Sequence, residues 1–466
     1  MKKLALLLWM VVSLNSSAQD TILPAETYLG WVGKYHPFVA QSDRVRMIAE
    51  AEVPQMRGFF DPVLSGSVRN KDFDQKEYYF MAGGQLTVPT RLGPQFEVGY
   101  DQNRGEFLNP QNDLPEPGLW YLGIEVPLLQ GLITDEERTA VRMAEAGQEV
   151  TDQEIRDQIN DLFYRAQEAY WNWSASYAVW RTRQNAELTA YQRYQNTVKG
   201  FEEGFYPAID TLEASIQWQN RRLLRQEALK EYVHAQLKAS TFIWDSLGNS
   251  LILADSIRPR PLADFQYVLS PQELALSIDS LQSDHPKWLA FESQLDLLRF
   301  DQRLKSQKIL PKANLRYDLL QDDSSLGSEG PDRNFSNHYW SLKVELPLFL
   351  RDERFALQQA RFKVEQTDLK QGETWVKTSN YWKALRNELL ILTEQADQYE
   401  TTVSGYLQLL NAEITLFFSG ESSLFVVNSR ELKWLEGMEK LIELRQKFRT
   451  KRALWYYQGG LTPLQP

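Results

Sequence analysis

This chain of 466 residues has four histidines and no cysteine, so the residues that most often build metal and acid–base centres are scarce. Two of the histidines, His36 and His285, each stand directly before a proline. A metal or acid–base centre needs several convergent groups, and each His-Pro pair offers one histidine. We interpret both pairs as structural, because proline cannot donate a backbone hydrogen bond and interrupts or restarts a helix. The absence of cysteine excludes disulfides, thiolate metal sites and a cysteine nucleophile. We expect no catalytic residue, metal or cofactor.

The overall charge argues against nucleic acid as a partner. The chain has 62 acidic residues against 51 lysines and arginines, which gives a formal net charge of −11. Affinity for nucleic acid depends on basic groups that contact phosphates. Hydrophobic residues make up 43 % of the sequence and charged residues 24 %, which is typical of a folded chain rather than a disordered one.

Residues 1–18 have the features of a secretory signal peptide. Lys2 and Lys3 precede the apolar run LALLLWMVVSL, and small residues follow in NSSAQ, which predicts cleavage after Ala18. An N-terminal membrane anchor is the alternative, but the apolar run is shorter than the roughly 20 residues that a spanning helix needs. We expect the mature chain to be exported.

Two segments alternate apolar and polar residues with a period of two, which predicts β-strands. One face is apolar and aromatic, and we predict that it faces lipid: Trp120, Leu122, Ile124, Val126, Trp340, Leu342, Val344 and Leu346. The other face is polar, and we predict that it faces a lumen: Glu125, Ser341, Lys343 and Glu345. Apolar stripes of about ten residues opposite a polar face are typical of transmembrane β-barrel strands. A sheet packed on helices would show the same pattern, but the export signal and the polar loops NRGEFLNPQNDLPEPG and DDSSLGSEGPDRN favour the barrel.

Similar strings recur in the same order in both halves of the chain, which indicates a duplication. LWYLGIEVPLLQ is similar to YWSLKVELPLFL, and AYWNWSAS is similar to NYWKALRN. The first predicted repeat, 19–262, contains a helix, barrel strands at about 61–129 and a long helical hairpin at about 132–245. The second, 263–466, contains a helix at about 271–308, strands at about 312–349 and a hairpin at about 352–458.

The number of strands per chain has two possible values. Further alternation in YYFMAGGQLTV and QFEVGYDQ, on either side of TRLGP, would add a hairpin to the first repeat and give six strands. We prefer four strands. A closed membrane barrel needs at least about eight strands, so either number predicts an oligomer.

These motifs resemble those of the TolC-like outer-membrane efflux proteins of Gram-negative bacteria, over nearly the whole mature chain. The resemblance lies in the two His-Pro pairs, the strand entry FDPVL, the strand exit IEVPLLQG and the helical turn GFYPAIDTLEA, in which Gly204, Asp210 and Ala214 match. It implies a mainly α-helical fold with a transmembrane β-barrel, in which three chains form a twelve-stranded barrel and a long α-helical barrel of twelve helices in the periplasm. It also implies two partners, a periplasmic adaptor protein and an inner-membrane transporter.

By the same resemblance, the two helical turns lie at the far periplasmic tip, where the adaptor binds. The predicted tip residues are Gly204, Phe205, Tyr206, Asp210, Gly420, Glu421, Leu424 and Phe425. Apolar side chains exposed at such a tip mark a partner surface, or they seal the tip between neighbouring subunits. Well-studied members carry aspartates after the second turn, at positions that are Val426 and Ser429 here, so the acidic gate of the family is not supported.

The sequence therefore predicts a homotrimeric exit duct in the outer membrane, in contact with its lipid, that serves a tripartite efflux or type I secretion-like system without enzymatic activity. The alternative is an extended periplasmic coiled-coil scaffold or adhesin that forms no channel. Long apolar strand faces favour the duct, because a scaffold has no use for them.

Overall fold

The structure, a computed structural model, describes residues 21–322 and 337–461. The predicted signal peptide and most of the loop DDSSLGSEGPDRN lie outside the described residues. The chain divides into two compact units. The first contains the described parts of Met1–Gln41, Asp157–His285 and Lys377–Pro466, and the second contains those of Ser42–Arg156 and Pro286–Val376. Each unit draws on both halves of the sequence, and the two tandem repeats stay a prediction.

Helices form most of the described chain. In chain order they are α1 (Ala25–Tyr35), α2 (Pro37–Arg57), α3 (Glu136–Glu202), α4 (Ala208–Ser240), α5 (Pro271–Ala275), α6 (Ile278–Leu281), α7 (Pro286–Gln307), α8 (Arg351–Phe418) and α9 (Leu424–Gln458). The two long helices, α3 and α8, contain no proline and begin with carboxylates, which the positive end of a helix dipole stabilises. None of the helices that the structure describes combines the length and the apolar stretch that a membrane-spanning helix requires.

Both His-Pro pairs interrupt or restart helices, as predicted. His36 has an extended backbone conformation, and Pro37 is the first residue of α2. His285 is likewise extended, and Pro286 is the first residue of α7. The single helix predicted at about 271–308 is wrong: the chain forms α5, α6 and α7 there, because Leu276 is extended and ends α5.

The predicted strand regions form one antiparallel sheet. In chain order its strands are β2 (Val63–Phe73), β3 (Lys76–Pro89), β4 (Gln95–Arg104), β5 (Leu119–Pro127), β7 (Lys312–Asp322) and β8 (His338–Glu345). Their order in the sheet is β2-β3-β4-β5-β7-β8. A separate parallel pair joins β1 (Thr21–Leu23) to β6 (Ile257–Pro259).

The preferred number of four strands is therefore wrong, because the described chain contributes six strands to this sheet. The segments YYFMAGGQLTV and QFEVGYDQ form parts of β3 and β4, and TRLGP forms the turn between them. Asp74 and Gln75 connect β2 to β3 with positive φ angles of 56° and 57°, as a two-residue hairpin turn requires. One chain therefore has two more strands in its sheet than the four that the expected twelve-stranded barrel takes from each of three chains.

Aromatic residues fill the core of the first unit. Trp173 and Tyr28 are fully buried there, and Trp171 is nearly so. The Tyr28 hydroxyl donates to the carbonyl oxygen of Ala239 at 2.9 Å. Trp382 stacks on Trp455 with 4.9 Å between ring centres. These tryptophans contribute to the packing between helices.

Candidate functional site

The strand register places most of the apolar residues on one face of the sheet. Ile124 on β5 lies opposite Phe96 on β4 and Tyr317 on β7, and Tyr317 lies opposite Trp340 on β8. Side chains of directly opposed residues project to the same face. The same face carries Leu64, Val68, Phe80, Ala82, Leu86, Val88, Val98, Tyr100, Trp120, Leu122, Val126, Leu315, Leu319, His338, Leu342 and Val344. We call it the apolar face.

Seven of the eight residues predicted to face lipid lie on this apolar face, and Leu346 lies one residue beyond the end of β8. Much of the face is exposed in the single chain, with Trp340 at 61 % and Val344 at 60 %. An exposed apolar surface of this extent marks a contact with lipid or protein.

The opposite face carries polar residues on every strand, and we call it the polar face. All four residues predicted to face the lumen lie on it. In the strand register Glu125 lies opposite Arg316, and Arg316 lies opposite Ser341. Lys343 forms an ion pair of 2.7 Å with Glu345. Glu125 also accepts a 2.7 Å hydrogen bond from the Asn314 side chain.

A charged cluster at the centre of the polar face was missed from the sequence. Arg316 lies 2.8 Å from Asp318 and 2.7 Å from Glu97, and both carboxylates are buried. Gln95 donates to Glu97 at 3.1 Å. The cluster joins β4 to β7, which are separated by β5. Its signal was present in QFEVGYDQ, where Glu97 alternates with apolar neighbours.

Three glycines on the polar face make room for side chains of the next strand. A Cβ at Gly83 would overlap the Asp101 carboxylate, one at Gly99 would overlap the Tyr121 ring, and one at Gly123 would overlap the Asp318 carboxylate. Glycine in a strand often marks such a close approach. Side chains of β4, β5 and β7 thus lie along the sheet instead of standing away from it.

The two predicted helical turns have the same backbone structure. Gly204 and Gly420 have φ angles of 83° and 77°, a conformation that glycine adopts without steric strain. Phe205 N donates to Gly200 O and Gly204 N to Phe201 O; Glu421 N donates to Leu416 O and Gly420 N to Phe417 O. These are the two bonds of a Schellman motif, which ends a helix and satisfies its last carbonyls.

The side chains at these turns differ in exposure. Phe205 is 75 % exposed and Phe425 is 71 % exposed, whereas Leu424 is only 3 % exposed. Leu424 is therefore not among the apolar side chains exposed at the tip, contrary to the expectation from the sequence. Tyr206 stacks on Phe417 with 6.1 Å between ring centres. Asp210 is half-buried in the first turn of α4, and Glu421 is exposed.

A buried ionic network lies near the turns and was not predicted. Arg193 on α3 lies 3.1 Å from Glu431 on α9 and donates to Asn428 at 2.9 Å. Arg221 on α4 lies 3.7 Å from Glu431. Burial lowers the pKa of the Arg221 guanidinium, and the Glu431 carboxylate opposes that shift. The signal was the position of Asn428 and Glu431 on the buried stripe of α9, between Leu424 and Leu435.

The comparisons with known proteins rest on structure, since no protein-family model and no curated protein sequence matches this chain. The chain is similar to the outer-membrane channel OprN, at 12 % identity, with a TM-score of 0.68 over 95 % of this chain and 91 % of that one.

It is also similar to the CmeC outer membrane channel of Campylobacter jejuni, at 11 % identity and a TM-score of 0.63 over 95 % and 87 % of the two chains. The outer membrane protein VceC of Vibrio cholerae matches at 12 % identity and a TM-score of 0.64 over 94 % and 96 %. The chain therefore has the fold of the TolC-like outer-membrane channels, as its motifs predicted.

Proposed function

We propose that three copies of this chain form an exit duct through the outer membrane of a Gram-negative cell. The duct passively conducts substrates that a periplasmic adaptor and an inner-membrane transporter deliver. The observation that carries the proposal is that most apolar residues of a six-stranded sheet lie on one face and most charged residues on the other. The polar residues Asn70, Gln102, Arg104 and Gln321 lie on the apolar face only toward one end of the sheet. The similarity of the fold to outer-membrane channels supports the same reading.

The apolar face contacts lipid in this proposal, and the polar face lines the water-filled passage. A bilayer offers no hydrogen-bond partner to a backbone group, so a membrane-spanning sheet has to close on itself. One chain supplies six strands, fewer than the eight of the smallest known membrane barrels. Closure therefore requires several copies, and we propose three because the resemblance of the motifs implies a trimer.

The long helices lie in the periplasm in this proposal, and the turns at Gly204 and Gly420 meet the adaptor there. Phe205 and Phe425 are the exposed apolar side chains that we assign to this contact. The alternative is that both side chains seal the tip between neighbouring subunits. In that case changing them would not affect binding of the adaptor. Leu424 belongs to the packing of the hairpin because it is buried.

The chain has no catalytic step in this proposal, and the energy for export comes from the transporter. The passage has to stay closed until the adaptor binds. Val426 and Ser429 stand where the family carries acidic residues, so an acidic gate at these positions is not part of the proposal. The buried network around Glu431 holds α3, α4 and α9 together near the turns.

Separation of the inner membrane, outer membrane and soluble periplasm tests the proposal. We expect the protein in the outer-membrane fraction, as a complex of three chains in mild detergent that cross-links to an adaptor. A soluble monomer in the periplasm would contradict the duct and favour the scaffold or adhesin. The exposed apolar face argues against that alternative, since a soluble protein rarely leaves so large an apolar surface uncovered.

A further inference from the structure

Both edges of the six-stranded sheet are open in the single chain. Within the described residues, β2 pairs with β3 alone and β8 pairs with β7 alone. Every side chain of β2 is exposed, and seven of the eight in β8 are as well. An open edge presents unpaired backbone N–H and C=O groups, which are unstable in a bilayer and promote pairing with another strand.

The two edges have the directions that pairing between copies requires. β2 begins after α2, and β8 leads into α8, so one strand leaves the helical end of the sheet and the other returns to it. Neighbouring strands alternate in direction throughout the sheet. Since the number of strands is even, β2 of one copy and β8 of the next run antiparallel when placed side by side.

The faces also match across such a junction. On β2, Leu64 and Val68 belong to the apolar face, and Ser65 and Ser67 lie on the other. On β8, Leu342 lies on the apolar face and its neighbours, Ser341 and Lys343, on the polar face. A β2–β8 junction therefore continues both faces without placing a charge among the apolar side chains.

The alternative is that the β2–β3 hairpin stands outside the wall, which would leave β4 as the edge. The pairing of β3 with β4 opposes this, since it runs without interruption from Phe80↔Arg104 to Pro89↔Gln95. The Asp101 side chain fills the space above Gly83, where a Cβ would overlap it. The turn between β3 and β4 is closed by a hydrogen bond from the Thr90 hydroxyl to Pro94 O. These contacts fix β3 as part of the wall.

We infer that β2 of one copy pairs with β8 of the next, so that three copies close a barrel of eighteen strands, six from each chain. This inference rests on the proposed trimeric duct and corrects the twelve-stranded barrel that the resemblance implies. Barrel diameter grows roughly linearly with strand number, so the barrel is about 1.5 times as wide, and barrels of 16–18 strands leave an aqueous channel.

The absence of cysteine allows a direct test by disulfide formation. Cysteine replaces Ser65 or Ser67 on β2 together with Ser341 or Lys343 on β8, in four double variants that allow for different registers. Oxidation in isolated outer membranes should produce covalent dimers and trimers in at least one variant, seen on denaturing gels without reductant. The matched rival variant, Gln95→Cys with Lys343→Cys, joins β4 to β8 and should stay at the mass of one chain.

The outcomes separate the inference from the proposed duct. Single-cysteine variants must form the same complex in mild detergent as the natural chain, which shows that they assemble. A trimer that cross-links through β4, or through none of the four β2–β8 variants, would overturn the eighteen-stranded barrel and leave the duct intact. A chain that is monomeric in the outer membrane would overturn the duct itself, and the β2–β8 junction with it.

Discussion

At the scale of single residues, glycines determine how the polar face packs. Asp101, Tyr121 and Asp318 each lie against a glycine of the neighbouring strand. The Asp318 carboxylate thereby reaches Arg316, whose other partner is Glu97. Which side chain meets which glycine depends on the register between strands, and a single strand's sequence does not contain it.

Gly123→Ala should destabilise the sheet, because the added Cβ overlaps the Asp318 carboxylate and displaces it from Arg316. Overpacking of this kind costs about 1–3 kcal/mol. The measurement is the temperature at which the detergent-solubilised complex dissociates. Gly84→Ala is the matched control, since its Cβ would meet the Ser65 carbonyl oxygen at an ordinary 3.9 Å. Equal dissociation temperatures for both variants would show that the Gly123 contact has no role in stability.

Val344→Lys should impair insertion of the chain into the outer membrane. Val344 lies on the apolar face, and a lysine facing lipid costs about 2–4 kcal/mol near the middle of the bilayer. The amount of protein recovered in the outer-membrane fraction measures the effect. Ser341→Lys, on the polar face of the same strand, should leave insertion unchanged. Equal insertion of both variants would contradict the assignment of the two faces.

At the scale of elements, α9 has a buried stripe of residues near its start, and this stripe includes a carboxylate that faces arginines of two other helices. Leu424, Val427, Asn428, Glu431 and Leu435 follow the spacing of one helix face and are all buried. A charge in such a stripe is unfavourable without a partner, and Arg193 and Arg221 supply it. The network links α3, α4 and α9 near the turns.

Glu431→Ala should destabilise the helical hairpins strongly. The change leaves two arginines without their carboxylate, and removing one partner of a buried ion pair costs about 3–5 kcal/mol. Thermal unfolding followed by circular dichroism measures the loss of helix. In the control Glu436→Ala, the lost partner is Lys433 at 3.1 Å in an exposed pair on the same helix, which contributes about 0–1 kcal/mol. We expect a larger decrease in the unfolding temperature for Glu431→Ala than for Glu436→Ala. The reverse order would contradict the stabilising role of the network.

Changing Phe205 and Phe425 together to Ser should reduce binding of the adaptor without changing assembly. Both side chains are exposed, so their loss removes a contact surface and little internal packing. Cross-linking to the adaptor and the mass of the complex are the two measurements. Leu247→Ser removes an exposed apolar side chain from the loop after α4 and should have no effect. Unchanged cross-linking of the double variant would indicate that these residues seal the tip between subunits.

At the scale of the whole molecule, periodic patterns predicted most elements, and interactions between distant segments did not follow from them. The long helices were predicted because they lack proline, and β5 and β8 because their alternation is strong. The additional hairpin, formed by β3 and β4, was not preferred from the sequence, and Ala82, Gly83 and Gly84 weaken the alternation of β3. The cluster around Arg316 joins residues of β4 and β7, and only the sheet order brings them together.

The central claim is that the six-stranded sheet crosses a membrane with its apolar face in lipid. The most direct measurement places a single cysteine at each position from 340 to 345 in turn and labels intact outer membranes with a membrane-impermeant thiol reagent. We expect labelling to alternate along the strand: cysteines at Ser341, Lys343 and Glu345 are labelled, and cysteines at Trp340, Leu342 and Val344 are protected until the membrane is dissolved. Uniform labelling along the strand, or protection with the opposite phase, would contradict it.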